Sequence, residues 1–169
     1  MPAGLKQTSS VVTIGFEARE LVANTFTQSE VDLNLSPLDS EVFVVLAVNM
    51  DPRYPDSLAG IDTSVNVSLT STRFAAVATL TDANCIAAAS NAIKAAGFVD
   101  AGVGFQTALE TPPSNLDYIG IVATNNFFVQ IEGAGNLNTK AVTGKMYGYR
   151  ARADSAIYAA LVQSEALSA

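Results

Sequence analysis

In the stretch "KAVTGKMYGYRARA", Val142, Gly144, Met146 and Gly148 alternate with Thr143, Lys145, Tyr147 and Tyr149. A period of two sends one set of side chains to each face of a β-strand, and it constrains this chain more than any other feature. The same period recurs upstream. Val31, Leu33 and Leu35 alternate with Asp32 and Asn34, and Val65, Val67 and Leu69 alternate with Asn66, Ser68 and Thr70. "VFVVLAVNM", Val42 to Met50, is apolar on both faces, as a strand covered from two sides would be. "RFAAVATL" (Arg73 to Leu80), "YIGIVATN" and "FFVQIE" read as further strands, and "ETPPSNLD" as a loop. Two glycines on one face of the last strand leave room for a neighbouring backbone or a bulky side chain.

Between the last two strands, "GAGNLNT" reads as a hairpin connection, because Gly133, Gly135, Asn136 and Asn138 all tolerate positive φ. Two helices are expected. "TDANCIAAASNAIKAAG" has Thr81 or Asp82 to cap its start and Gly97 to close it, which predicts an inserted helix over about 82–96. Its apolar face would be Cys85, Ile86, Ala89 and Ile93. "DSAIYAALVQSEALSA" predicts a terminal helix over about 155–166. The expected fold is therefore all-β: one β-sandwich or jelly-roll domain spanning 1–169, with residues 1–10 as a flexible arm. An immunoglobulin-like domain is the alternative, but its buried Trp is missing.

Charged residues make up 15% of the chain and hydrophobic ones 49%, against a usual charged share of about 25%. A thinly charged surface is easier to desolvate, which suits contact between subunits. The net charge of −7 argues against direct nucleic-acid binding, since the phosphate backbone needs clustered cations. Up to Asp62 there are nine acidic residues and three basic ones, whereas Lys140 to Arg152 holds four basic residues and no acidic one. Such a distribution fits charge matching between like subunits. The single cysteine, Cys85, excludes an intramolecular disulfide. "MPAGLKQTSSVVTIG" lacks the pattern of a signal peptide, so synthesis in a cytoplasm without Sec export is expected.

Catalytic tools are few. Without histidine, imidazole triads and histidine metal sites are excluded. Cys85 has no base beside it in sequence and reads as a structural thiol. Glu17, Glu20 and Glu132 are the carboxylates that an enzyme using acids alone would need, with glycoside hydrolysis as the model chemistry. Asp51, Asp56 and Asp62 lie in one stretch, "DPRYPDSLAGID", and an oxygen-only set suits Ca²⁺. The spacing does not match an EF-hand, and solvated loop acids are the plainer reading. "GAGNLN" joins two strands instead of opening a helix, so it is no phosphate cradle. No cofactor and no catalytic residue is assigned.

The closing order "FFVQIE–GAGNLNT–KAVTGKMYGYRARA" resembles the last strand pair of viral single jelly-roll coat proteins, and the resemblance covers the β pattern from Val31 to Ala153. It implies a virion structural protein, either a capsid coat or a capsid-stabilising cement subunit of a phage or archaeal virus, present in many copies. Its expected partners are copies of itself and other virion proteins, with the apolar terminal helix able to rest on an internal viral membrane. Lys140, Lys145, Arg150 and Arg152 are the expected interface cations, with Tyr147 and Tyr149 as anchors. An edge strand kept from aggregating by its Lys and Arg is the competing reading of those residues. The alternative function is a non-catalytic binding module, such as a phage fibre or carbohydrate-binding sandwich.

Overall fold

A computed structural model of the chain describes residues 1–100, 102–107 and 116–169. The loop read at "ETPPSNLD" lies outside the described residues from 110 to 115. Ten strands are described: β1 (Leu5–Gln7), β2 (Val12–Arg19), β3 (Thr27–Asp32), β4 (Glu41–Pro52), β5 (Thr63–Thr70), β6 (Cys85–Lys94), β7 (Val103–Thr107), β8 (Gly120–Val122), β9 (Asn126–Ala134) and β10 (Ala141–Ala153). One α-helix, α1 (Ser155–Leu167), follows. Every ladder is antiparallel, and the strands form two five-stranded sheets.

The pairing is nested: β2 with β10, β3 with β9, β4 with β8, and β5 with β6. One long hairpin rolled upon itself produces this order, with successive pairs falling alternately in the two sheets. The roll is closed by β10 pairing β4 in the first sheet and β9 pairing β5 in the second. β1 extends the first sheet beside β10, and β7 adds a fifth strand beside β6 in the second. The architecture is a jelly-roll β-sandwich.

Alternation explains what fills it. Val65, Val67 and Leu69 of β5, Phe127, Val129 and Ile131 of β9, and Val142 and Met146 of β10 point between the sheets. Phe16 and Phe127 meet edge to face there, their ring centres 6.0 Å apart, a favoured aromatic geometry. β4 is covered on both sides, as its apolar run predicts. Phe43 and Val45 join the central core, while Val42 and Val44 face a second cluster under α1. A register shift against β10 at Leu46 then exchanges the faces, so that Val48 and Met50 again point inward. Ile157, Tyr158, Leu161 and Val162 place one stripe of α1 on Val42, Val44, Tyr149 and Ala151. The terminal helix thus packs on its own sheet.

Three expectations are corrected. The inserted helix over 82–96 is a strand, β6. Its alanines are good helix formers but small enough for either state, and β5 offers a ladder that outweighs propensity. Ala87, Ala89 and Asn91 are buried and alternate with the half-exposed Ala88, Ser90 and Ala92. Residues 73–80 are not a strand. They cover the outer face of the second sheet through side chains: Arg73 lies over the Phe128 ring, and the backbone N–H groups of Phe74 and Ala78 donate to Gln28 and Ser68. "GAGNLNT" does not close a hairpin, because β9 and β10 belong to opposite sheets. In addition, the first ten residues, read as a flexible arm, include β1, whose Leu5 is buried against the α1 cluster.

Glu165 fastens the far end of α1. Its carboxylate accepts the N–H groups of Ala123 (2.8 Å) and Thr124 (3.0 Å), and Asn84 donates to its backbone oxygen (3.0 Å). Burial, the largest influence, raises the pKa of this carboxyl above its ordinary value. The neutral form is therefore favoured more in the folded chain than in the unfolded one. Its contribution to stability is complete below the ordinary pKa of 4.5 and is lost as pH rises through the folded value. Glu165→Gln is expected to remove this dependence. Between about pH 4 and pH 8, the melting temperature of wild type relative to the variant should fall as pH rises. A constant difference would refute the assignment.

Candidate functional site

The connection from β9 to β10 is held by polar side chains drawn from distant parts of the chain, of which Glu20 and Asn136 are buried. Glu20, only 2% exposed, clasps both of its ends: Oε1 accepts the N–H of Gly133 at 2.6 Å and Oε2 that of Lys140 at 2.8 Å. Asn24 exchanges two hydrogen bonds with the backbone of Asn136 (2.7 and 2.8 Å). The Asn136 side chain accepts from the N–H of Asp56 and donates to the carbonyl of Ser64. Asp56 in turn accepts the N–H groups of Leu137 and Asn138 and pairs with Lys140 Nζ at 2.6 Å. The Lys140 hydrogen bond, followed by those backbone N–H groups, lowers the Asp56 pKa against the opposing effect of burial. Gly135 takes φ 71° in this turn, and a Cβ added there would overlap the carbonyl oxygen of Asp62. The node is a structural lock between the two sheets.

The residues expected at an interface are consequently divided. Lys140 is buried and spent on Asp56. Tyr149 is buried under α1. Arg150 binds the carbonyls of Leu33 (2.7 Å) and Asn34 (2.9 Å) and the carboxylate of Glu41 (3.2 Å), tying β10 to the corner before β4. Arg152 is exposed but paired with Asp39 of its own chain. Only Lys145, exposed, and Tyr147, half-buried, remain on the part of the first sheet's outer face that lies beyond α1. The cations of β10 therefore serve mostly within the subunit.

The acidic candidates also separate. Asp51 is exposed on β4, Asp56 belongs to the lock, and Asp62 accepts the N–H groups of Ala95 and Ala96. These three do not converge, and among the described residues no group of three potential ligands could hold a metal ion. Glu17 pairs with exposed Arg19, Glu20 holds backbone, and Glu132 lies on the outer face of β9. They do not form a catalytic pair. Burial and then nearby Asp82 push the Cys85 thiol up to about 11, which keeps it protonated.

No protein-family model, curated protein or solved structure matches this chain.

Among the described residues, the second sheet carries two outward features. A groove of about 510 Å³ runs between residues 76–80 and the outer face of β5 and β6, with Ser90, Thr107 and Glu132 on its polar side. Beside it β7, "VGFQT", is exposed along its whole length and, among the described residues, pairs only with β6. β7 leaves only a faint mark in the sequence. Its signal is the alternation of Val103, Phe105 and Thr107 with Gly104 and Gln106, too short to stand out. The acids and amides of the lock gave no signal at all, because their partners lie up to 120 residues away.

Proposed function

We propose that this chain is a virion structural protein, a coat or capsid-stabilising cement subunit that assembles in many copies. The observation that carries the reading is the nested jelly-roll pairing around an interior filled by apolar side chains. Jelly rolls serve as capsid, lectin and cupin domains. A cupin-like role needs a ligand-holding interior, and here Phe16, Phe43, Phe127, Leu69 and Met146 occupy that space. Function then falls to outer faces and edges, as it does in a shell unit. The low charged fraction supports this, since neutral surface is cheaper to desolvate on contact.

The internal use of Lys140, Arg150 and Arg152 changes the expected character of assembly. Contacts should depend little on charge matching and should persist as salt is raised. Light scattering of the purified protein over a range of concentrations, at low and high salt, tests this. Oligomers or particles at both salts are the expected result. A monomer at every concentration would overturn the shell reading and favour the second one, a non-catalytic binding module using the groove above Ser90 and Thr107.

A further inference from the structure

Of the edges of the two sheets, β7 differs in chemistry. β3, at the opposite edge of the second sheet, carries Glu30 and Asp32; β2 carries Glu17 and Arg19; β1 and β8 have three residues each. Charges and shortness are what keep sheet edges from pairing with other chains. β7 has neither protection: its five residues include no charge, and Val103 and Phe105 are 50% and 59% exposed. Among the described residues nothing pairs with its far side, so alternate N–H and C=O groups there lack strand partners. Lys94, opposite Val103 on β6, is turned to Asp62 of its own chain. Phe98 and Val99, just before β7, add exposed apolar surface.

We infer that β7 is a dimerisation edge that pairs antiparallel with β7 of a second copy, an inference that rests on the shell-subunit reading. Three observations favour this occupant. The strand is self-complementary: a two-fold axis at Phe105 sets Phe105 against Phe105 of the other copy and Val103 against Thr107. Such aromatic cross-strand pairs stabilise ladders, and the contact closes with the same patch on both subunits. Next, two chains of net charge −7 repel each other, and an uncharged edge is where that repulsion is least concentrated. Finally, Thr107 accepts a hydrogen bond from Ser90 at 3.0 Å, and both line the groove. Alternation puts Val103, Phe105 and Thr107 on that same face. Val103 of the second copy would therefore stand at the mouth of the groove, beside Leu80, which is itself exposed. The two second sheets become one continuous sheet across the contact.

Phe105→Lys places two like charges opposite each other on the axis and removes the aromatic pair. The dimer should weaken by roughly 100-fold or more, read by light scattering, while the circular dichroism spectrum stays that of wild type because the side chain is exposed in the single chain. Phe105→Cys in a Cys85→Ser background should form a disulfide-linked dimer under mild oxidation, and Leu137→Cys, exposed on the distant loop, should not. If wild type assembles and Phe105→Lys assembles equally well, the β7 contact is wrong and the shell reading survives. If wild type is a monomer throughout, both fall.

Discussion

Glu20→Ala is expected to lower the unfolding free energy by roughly 2–6 kcal/mol, since each buried N–H left without an acceptor costs about 1–3 kcal/mol. The two donors are Gly133 and Lys140, at opposite ends of the turn that carries the chain from one sheet to the other. Water does not replace the carboxylate easily, because Glu20, Lys140 and Asn136 are all buried. Glu20→Gln should fall between wild type and alanine. Its single carboxamide oxygen can serve one donor, while its NH₂ group faces the other. Urea denaturation of the three proteins measures the order directly. A loss below about 1 kcal/mol for alanine would mean that the turn re-forms around solvent, and that the lock is weaker than its geometry indicates.

Much of the fold was legible in the sequence because period-two alternation is a local property. Val65, Val67 and Leu69 show the inner face of β5, and the unbroken apolar run Val42 to Val45 shows a strand with cover on both sides. Alternation fails where residues are small. Ala87 to Ala89 favour a helix by propensity but are small enough for a strand, and the neighbouring β5 decided the outcome. It also cannot say which sheet a strand joins, and so β9 and β10 read as a hairpin although they lie across the core from each other. The site residues were least legible. Lys140, Arg150 and Arg152 form a basic run in sequence, but each is matched by an acid more than eighty positions away: Asp56, Glu41 and Asp39. The acidic front and basic end of the chain are complementary within one subunit, and the fold brings them together.

Gly148→Ala is the second large effect, and its origin can be separated experimentally. β10 pairs with β1 and β2 on one side and β4 on the other, so it is the spine of the first sheet. At Gly148 an added Cβ would overlap the carbonyl oxygen of Val44 and the ring of Phe43; at Gly144 it would overlap the carbonyl of Asn49 and the ring of Phe16. Each glycine thus lies under an aromatic ring of an adjacent strand, and the inward face of β10 alternates Val142, Gly144, Met146, Gly148 so that large and absent side chains interlock. A methyl group inserted into such packing costs about 1–3 kcal/mol, and more where backbone must move. Gly148→Ala should reach the upper part of that range, since Val44 lies in the same hydrogen-bonded ladder. Phe43→Ala alone should cost about 3–5 kcal/mol by leaving a cavity. Combined, the two changes should cost less than their sum, because the ring that the new methyl strikes is gone. The non-additive part then measures the clash with the Phe43 ring, and the cost of Gly148→Ala that persists in the Phe43→Ala background measures the strain against the Val44 carbonyl. Strict additivity in a denaturation cycle would show that Phe43 and Gly148 do not constrain each other, and that the glycine is present for the backbone ladder alone.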